Sequence, residues 1–281
     1  MPELPEVETV RRALARMIVG TRIARVHVRL PRLIRTPSDP VAFAERLAGR
    51  TFAGIGRHGK YLLFAVPPFV LVSHMRMEGK YDVVPSGTPD LAHTHIAFEL
   101  DDGRALKYRD VRQFGTFDLV DEERIDRLPL LRTLGPDALD PALDAEAFYA
   151  ILKGRPRRAI KALLLDQTVI AGLGNIYTDE ALFRARIHPR TPAGAISPVK
   201  AQKLHAAVRE VLEAGIESGG ASVRSYRGPQ EALGYFQLNI QVYGRKDQPC
   251  PRCGTPIVRT VVAGRGTHLC PKCQREGRQG A

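Results

Sequence analysis

Residues 93–120 read HTHIAFELDDGRALKYRDVRQFGTFDLV, and their pattern sets the fold class of the first part of the chain. Three apolar runs of strand length follow one another, separated by short polar segments. Asp102-Gly103, between the first two runs, is a typical two-residue hairpin signal. The stretch therefore predicts neighbouring antiparallel strands.

The same pattern extends toward the N-terminus. Further strand-like runs lie at residues 21–30, 51–66 and 70–77. A series of short strands with close turns indicates an antiparallel sandwich or barrel. Ahead of the strands, Val7, Val10 and Leu14 recur at helical spacing and Gly20 follows, which predicts an amphipathic helix over residues 5–19.

The pattern becomes helical after Leu134-Gly135-Pro136-Asp137. Helices are predicted at 144–153, 157–165, 176–184 and 197–218. Residues 219–236 are rich in Gly, Ser, Arg and Tyr and predict a mobile loop. The chain thus reads as α+β, and its predicted domains are a β-rich domain (1–134), a helical domain (135–239), a terminal cysteine module (240–275) and a disordered tail (276–281).

The charge favours a polyanionic partner. The 281 residues carry a formal net charge of +12, and the basic residues are clustered. Lys153, Arg155, Arg157, Arg158 and Lys161 lie in one acid-free run, as phosphate neutralisation requires. No apolar stretch is long enough for a transmembrane helix, and the start lacks a basic stretch followed by an apolar run. A cytoplasmic protein without membrane contact is predicted.

The four cysteines indicate a metal site. Cys250, Cys253, Cys270 and Cys273 form two C-x2-C pairs 16 residues apart. This is the spacing of a four-thiolate zinc site. Disulfides and a thioredoxin-like motif fit less well, since no secretory signal and no βαβ pattern is visible. A closed site with four protein ligands predicts one structural Zn²⁺, in a finger whose loop carries Arg259, Arg265 and His268 but no acid.

The N-terminus admits two interpretations. Removal of Met1 before the small Pro2 is expected, and it leaves a secondary amine that is partly neutral at physiological pH. Such an amine can attack a sugar C1′ and form an iminium ion, with Glu3 and Glu6 near in sequence to move protons. Spacing alone favours the simpler reading, in which Pro2 leads into a helix and the acids face the helix dipole.

Longer motifs extend over almost the whole chain. They are Pro2–Thr9 (PELPEVET), His58–Leu62 (HGKYL), His74–Gly79 (HMRMEG), Asp110–Gly115 (DVRQFG), Ala171–Tyr177 (AGLGNIY) and Gln241–Arg245 (QVYGR). Together, in this order and followed by the cysteine module, they resemble the formamidopyrimidine-DNA glycosylase / endonuclease VIII superfamily. The resemblance implies an N-terminal antiparallel β-sandwich with an N-terminal helix, a helix–two-turn–helix domain and a C-terminal zinc finger.

The resemblance also implies an activity and roles for individual residues. The expected reaction is excision of oxidised purines, 8-oxoguanine and formamidopyrimidines, followed by β,δ-elimination. Pro2 is the implied Schiff-base nucleophile, Glu3 the acid/base in base release, and Lys60 and Arg265 phosphate contacts that assist elimination. Met77, Arg112 and Phe114 are implied to fill the gap left by the extruded base. The residues implied to hold the DNA backbone are His74, His93, Arg155 and Asn175.

These roles fit the physics of base extrusion, which costs a few kcal/mol of lost stacking. Met77 can act as an apolar wedge, Phe114 can stack, and Arg112 can pair with the orphaned base. Amides of the Gly172–Asn175 turn suit a phosphate oxygen, because they adjoin a helix N-terminus. The implied partner is double-stranded DNA with oxidised bases or abasic sites, bound by a monomer associated with the nucleoid.

Individually, several of these residues have simpler interpretations. Lys60 alone would be a solvated lysine and Met77 a core methionine. His93 and His95 alternate as in a strand, so one is expected to be packed or on the surface. Asp166 and Glu180 are interpreted as helix-end and surface acids. Gln113 stands where many relatives have a second basic residue, which predicts one weaker DNA contact.

Other functions remain as alternatives. An endonuclease VIII-type enzyme would prefer oxidised pyrimidines, whereas the Met77, Arg112 and Phe114 set favours purines. A non-catalytic DNA binder would be expected to lack Pro2, Glu3 or Lys60. A zinc-ribbon transcription or ribosomal factor leaves the N-terminus unexplained. The 219–236 loop, with Ser222, Arg224 and Tyr226, is expected to cap the flipped base, without assigned contacts.

Overall fold

A computed structural model describes residues 2–219 and 240–276. Contacts divide the chain into two compact units, with a boundary between Thr133 and Leu134. Residues 220–236 of the predicted capping loop and residues 277–281 of the predicted tail lie outside the described residues. None of the described helices is long and apolar enough to cross a membrane.

The N-terminal unit is a β-sandwich. One sheet has four strands in the order β1-β7-β8-β6, and the other has five in the order β2-β9-β5-β4-β3. All pairs are antiparallel except β2 with β9. The strands are β1 (Ile23–Val28), β2 (Ile34–Thr36), β3 (Gly54–His58), β4 (Tyr61–Val66), β5 (Phe69–His74), β6 (Lys80–Pro85), β7 (Thr94–Leu100), β8 (Arg104–Arg109) and β9 (Thr116–Asp121).

The sandwich core forms because alternate residues of both sheets face inward. Phe64 of β4 packs on Tyr81 of β6 with ring centroids 5.7 Å apart, and Phe52 lies 6.3 Å from Phe98 of β7. Helix α1 (Leu4–Ile18) adds its apolar stripe, including fully buried Leu14, to the same core. The predicted α+β sandwich with an N-terminal helix is confirmed.

Three features of this unit differ from the sequence-based expectation. The run 51–66 is not one strand but the hairpin β3–β4, because Gly59-Lys60 makes a two-residue turn. Strand β6 and helix α2 (Pro40–Leu47) were not predicted. The signal for α2 was Asp39-Pro40, since the Asp39 carboxylate caps the helix by accepting the Val41 N–H.

The second unit is helical and then ends in a hairpin. Its predicted helices all form, within a few residues of their expected bounds, although the second begins later because Ala159 is still extended. The remaining helices are α3 (Pro129–Arg132), which belongs to the N-terminal unit, and α4 (Ala145–Lys153), α5 (Ile160–Leu164), α6 (Asn175–Arg184) and α7 (Pro198–Glu217). Three 3-10 turns lie at Pro31–Leu33, Glu122–Arg127 and Ala193–Ala195.

The terminal hairpin pairs β10 (Val258–Val262) with β11 (Arg265–Leu269). Its two-residue turn, Ala263-Gly264, has φ of 51° and 71°. Positive φ at both positions is the requirement of a type I′ turn. The base of the hairpin packs on α6, where Phe183, Val242 and Ile257 join two cysteines in one buried cluster.

Candidate active site and nucleic-acid interface

The N-terminus of the chain is fixed by the first turn of α1. Pro2 is half-buried, whereas the side chains of Glu3 and Glu6 are almost fully buried. The two glutamates form a capping box, in which the Glu3 N–H donates to Glu6 Oε2 at 2.7 Å. A partly accessible proline is therefore held next to two buried carboxyl groups.

A third acid of α1, Glu8, ties the helix to the β3–β4 hairpin. Arg57 of β3 donates to Glu8 Oε2 at 3.2 Å and to the Gly59 carbonyl at 2.9 Å. Burial raises the pKa of Glu8, but hydrogen bonds and charges of Arg11 and its neighbours outweigh burial and lower it to about 2. The ionised Glu8 thus fixes α1 against the turn.

Lys60 is the second residue of that turn. It is only 5 % exposed, so it is not the solvated lysine that its type alone predicts. Gly59 has φ of 54°, which a two-residue hairpin turn needs at its first position. A lysine almost fully withdrawn from water is uncommon unless it serves a partner or a reaction.

The connection between β5 and β6, residues 75–79, is called the methionine loop below. Met75 is buried, but Met77 is 39 % exposed, so it does not belong to the core. The Gly79 N–H donates to the Met75 carbonyl at 2.9 Å and closes the loop. This turn presents a flexible apolar side chain to solvent.

His74, the last residue of β5 before the methionine loop, is neutral. Burial lowers the pKa of His74 to about 3, and the nearby cations Arg76 and Lys60 add to the effect. Its Nδ1 accepts the Arg76 N–H at 2.9 Å, so the ring proton is on Nε2. His74 is thus a neutral hydrogen-bond donor throughout the physiological pH range.

The connection between β8 and β9, residues 110–115, is called the arginine loop below. Asp110 is 1 % exposed and organises it, because its carboxylate accepts the N–H groups of Arg112, Phe114 and Gly115 at 2.8–3.1 Å. Phe114 is 53 % exposed, and the Arg112 guanidinium lies 5.0 Å from its ring centroid. Sequence analysis missed this role of Asp110, although an Asp before a tight loop is its typical signal.

Three further polar residues of this unit are His93, His95 and Gln113. His95 is buried and donates from Nε2 to the Asp110 carbonyl, whereas His93 is exposed with φ of 67°. From the sequence, one of the two is expected to be packed or on the surface, and His95 is packed while His93 is on the surface. Gln113 accepts a hydrogen bond from Arg32, which brings a guanidinium to the position where the resemblance implies a second basic side chain.

In the second unit, the basic run after α4 divides into two environments. Arg155 and its neighbours Lys153, Arg157 and Arg158 are exposed. Lys161 is 0 % exposed, so its prediction as part of a phosphate-neutralising cluster is wrong. Its ammonium lies 2.6 Å from Asp179 Oδ1 and donates to Thr267 Oγ1 at 2.8 Å.

This buried ion pair connects α5 and α6 to the terminal hairpin. The other oxygen of Asp179 accepts the His268 N–H of β11 at 2.9 Å. Sequence analysis missed Asp179, because partners 18 and 89 residues apart leave no local signal. The pair therefore supports the strand that begins with Arg265.

We expect Asp179→Ala to lower the free energy of unfolding of the second unit by about 3–5 kcal/mol, because it leaves a buried ammonium without its carboxylate. Arg158→Ala is the matched control. It removes an ion pair of the same 2.6 Å N···O distance whose side chains are 40 % and 24 % exposed, and it should cost less than about 1 kcal/mol. Denaturant unfolding followed by hydrogen exchange measures both; equal losses would contradict the assignment.

The turn before α6 offers fewer amides than expected. Gly172 has φ of 111°, but its N–H donates to Gln167 Oε1 at 3.0 Å, so that amide is not available to a phosphate. Asn175 begins α6, and its Nδ2 donates to the Gly266 carbonyl at 2.9 Å. Its buried Oδ1 has no hydrogen-bond partner within the described part of the chain. The N-terminus of α6 is therefore the part of this turn that can still bind an anion.

The interpretation of Glu180 as a surface acid is wrong. Its carboxylate is buried and accepts the N–H groups of Gln241, Val242 and Tyr243, all at 2.9 Å. Burial raises the pKa of Glu180 in spite of these three bonds. Asp166 does follow a helix end, where it accepts the Thr168 N–H. Glu180 thus anchors the chain as it enters the cysteine module.

The four cysteines meet as the spacing predicts. Their sulfurs all lie within 4.8 Å of one another, and three of the distances are 3.5, 3.6 and 4.0 Å. Sulfurs bound to one Zn²⁺ at about 2.3 Å lie about 3.8 Å apart, whereas disulfide sulfurs lie about 2 Å apart. Burial and the neighbouring sulfurs raise the pKa of Cys273 to about 12, a cost that a dication removes. The residues fit a closed zinc site.

Arg265 lies at the tip of the hairpin. It is exposed and directly follows the Ala263-Gly264 turn, so its position depends on the hairpin geometry. Arg259 and Val261 of β10 are also exposed. The finger therefore presents an exposed guanidinium directly after a type I′ turn.

Comparison with protein-family models assigns all three parts of the chain. Residues 1–117 match the formamidopyrimidine-DNA glycosylase N-terminal domain, and residues 134–227 match the H2TH domain of the same glycosylase. Residues 247–275 match a zinc finger found in FPG and IleRS. The first two matches agree in order with the sandwich and the helical unit.

Whole-chain relatives agree with these matches. Formamidopyrimidine-DNA glycosylase of Geobacillus kaustophilus is 50% identical over 275 residues, covering 98% of this chain and 100% of the relative. A MutM structure in complex with DNA containing carbocyclic 8-oxo-G has a TM-score of 0.89 at 39% identity. The Lactococcus lactis Fpg in complex with abasic-site DNA has a TM-score of 0.90 at 39% identity. Each structural match covers 98% of this chain and 100% of the other.

Proposed function

The chain belongs to the formamidopyrimidine-DNA glycosylase family, and from that premise we propose how its residues carry out the reaction. The protein is a base-excision-repair DNA glycosylase that removes oxidised purines, with an associated AP lyase activity. Its partner is double-stranded DNA containing oxidised bases or abasic sites, and one structural Zn²⁺ holds its finger.

Pro2 is the nucleophile of this proposal. Once Met1 is removed, its nitrogen is a secondary amine; with Met1 attached it is an amide and cannot react. As the base leaves, the amine forms a bond to C1′ and gives up its proton. The C1′–O4′ bond then breaks, O4′ stays on C4′ and takes a proton, and an iminium ion joins Pro2 to C1′. The iminium then withdraws electrons so that a C2′ proton is lost and the 3′ phosphate departs.

Glu3 supplies and receives protons in base release. It is buried beside Pro2 and held in the capping box with Glu6, so its position is set before DNA binds. Lys60 contacts a phosphate and assists β-elimination, and Arg265 contacts a phosphate and assists δ-elimination. Exposure of Arg265 directly after a hairpin turn supports its role, and Lys60 is supported by its place in the β3–β4 turn that Arg57 and Glu8 tie to α1.

The methionine and arginine loops fill the space of the extruded base. Met77 enters the stack, Phe114 stacks on a neighbouring base, and Arg112 pairs with the orphaned base. Exposed apolar side chains on ordered loops support this, since a core role would bury them. The residues proposed to hold the DNA backbone are His74, His93, Arg155 and Asn175.

The observation that carries the proposal is the half-buried Pro2 held next to buried Glu3 and Glu6 at the start of α1. A capping box alone is an ordinary helix start, but it does not require both carboxyl groups to be almost fully withdrawn from water. The net charge of +12 supports binding to DNA. We also propose that the protein is cytoplasmic, associated with the nucleoid and monomeric on DNA. The domain bounds 1–134, 135–239, 240–275 and 276–281 stay predictions.

The substrate class is tested by single-turnover excision from two duplexes. One contains 8-oxoguanine opposite cytosine, and the other contains thymine glycol opposite adenine. We expect faster release from the first, by at least about tenfold, a difference of about 1.4 kcal/mol in the barrier. Faster release of thymine glycol would move the preference to oxidised pyrimidines, as in endonuclease VIII-type enzymes.

A further inference from the structure

The methionine and arginine loops share one base. The first leads from β5 to β6 and the second from β8 to β9. Strands β5 and β9 pair in one sheet, with His74 opposite Thr116, while β6 and β8 pair in the other, with Lys80 opposite Arg109. Both loops therefore cross between the sheets side by side, and one support can serve both.

Tyr108 of β8 lies under both loops. It is 0 % exposed, and its ring packs on Tyr81 and Phe117 with centroids 5.1 and 4.8 Å away. A Cβ atom at Gly79 would lie 2.2 Å from the Tyr108 hydroxyl oxygen, and one at Gly115 would lie 1.8 Å from it. The hydroxyl thus contacts the last residue of each loop, and both positions need glycine.

The hydroxyl also reaches the residue that shapes the arginine loop. It donates to Asp110 Oδ2 at 3.4 Å, and the same oxygen accepts the N–H groups of Phe114 and Gly115. Burial raises the pKa of Tyr108, so the hydroxyl keeps its proton. A single polar group therefore contacts the methionine loop through Gly79 and the arginine loop through Asp110 and Gly115.

We propose that Tyr108 is a positioning residue that fixes the position of the two loops relative to each other, so that Met77, Arg112 and Phe114 enter the DNA together. This inference rests on the proposed function, because it assumes that the loops fill the space of the extruded base. If the two loops moved independently, insertion of one side chain would not bring the other two into the DNA. The free-energy cost of unstacking the base would then be offset only in part.

Tyr108→Phe tests the proposal with little risk to the fold, since the ring keeps its contacts and only the hydroxyl is lost. Tyr81→Phe is the matched control: Tyr81 is almost equally buried, but its hydroxyl donates to Ser73 Oγ at 2.6 Å and not to a residue of either loop. Each protein is mixed with a duplex that has 8-oxoguanine opposite cytosine and 2-aminopurine beside the lesion. The fluorescence rise reports unstacking.

We expect Tyr108→Phe to slow the fluorescence rise about five- to tenfold, the size of one lost buried hydrogen bond. Tyr81→Phe should match the wild type. Cleavage of a single-stranded abasic oligonucleotide, which has no stacked partner to displace, should be equal in all three proteins. If Tyr108 only stabilised the fold, Tyr108→Phe would slow the reactions on duplex and on single-stranded DNA by the same factor.

Gly115→Ala gives an independent measurement. Its new Cβ meets the Tyr108 hydroxyl and also lies 2.7 Å from the ring carbon Cζ, so insertion should slow more than in Tyr108→Phe. Adding Tyr108→Phe removes the hydroxyl clash but keeps the ring contact, so it should restore a small part of the rate. Losses that simply multiply in the double variant would overturn the proposal. So would a wild-type rate for Tyr108→Phe on the duplex, or equal slowing by Tyr81→Phe. Absence of any signal with the wild type would instead contradict the proposed function.

Discussion

Glu3→Gln is expected to slow release of 8-oxoguanine by about a hundredfold to ten-thousandfold, the range found for loss of a general acid/base. Glutamine fills the same volume and can still face the Glu6 N–H in the capping box, so α1 should start at the same residue. The variant lacks only the carboxyl group that can donate and accept the proton. The rate is measured as single-turnover base release from an 8-oxoguanine duplex.

An abasic-site duplex provides the internal control for this variant. Base release is already complete there, so strand cleavage should stay within about tenfold of the wild type. A parallel loss on both substrates would mean that Glu3 supports the fold or the position of Pro2 and does not move the proton. Retained base release would remove Glu3 from the reaction.

Cys273→Ala is expected to empty the zinc site and unfold the finger. Zinc binding supplies on the order of 10 kcal/mol to small modules of this kind, more than a single hairpin can replace. Arg265 then loses its rigid turn, and affinity for damaged DNA should fall by at least about a hundredfold. The measurements are zinc per chain, hydrogen exchange of β10 and β11, and the dissociation constant for an abasic-site duplex.

Lys272→Ala is the matched control, because Lys272 is exposed between two ligands and donates no sulfur. It should keep one zinc per chain and full protection of the hairpin. The sandwich should remain folded in both variants, since, among the described residues, its main buried cluster ends at Leu119 and includes none of the finger. Full zinc content in Cys273→Ala would contradict the four-thiolate assignment.

Much of the fold follows from local patterns. Strand alternation around Asp102-Gly103, helical spacing in α1 and the two C-x2-C pairs each report on neighbours in sequence, and all three formed as predicted. The sequence does not reveal the hairpin turn inside residues 51–66, because Gly59-Lys60 is not one of the strong hairpin dipeptides such as Asn-Gly or Asp-Gly. Local signals thus suffice where the partner lies within a few residues.

The site was predicted less completely, because its supports are long-range. Pro2, Met77 and Phe114 entered through motifs, and their exposure fits those roles. In the sequence, Lys161 is one more cation of a basic run. In the structure, it is buried and paired with Asp179, which lies 18 residues away. Periodicity cannot distinguish a charged side chain that faces solvent from one that meets a distant partner.

The central claim, that the N-terminal proline attacks the sugar, is tested most directly by borohydride trapping on a duplex with 8-oxoguanine opposite cytosine, followed by peptide mapping. The account predicts one covalent adduct per chain, located at Pro2. The adduct should be absent when Met1 is retained, because the nitrogen is then an amide. An adduct at Lys60 or another lysine, or trapping that persists with Met1 attached, would contradict it.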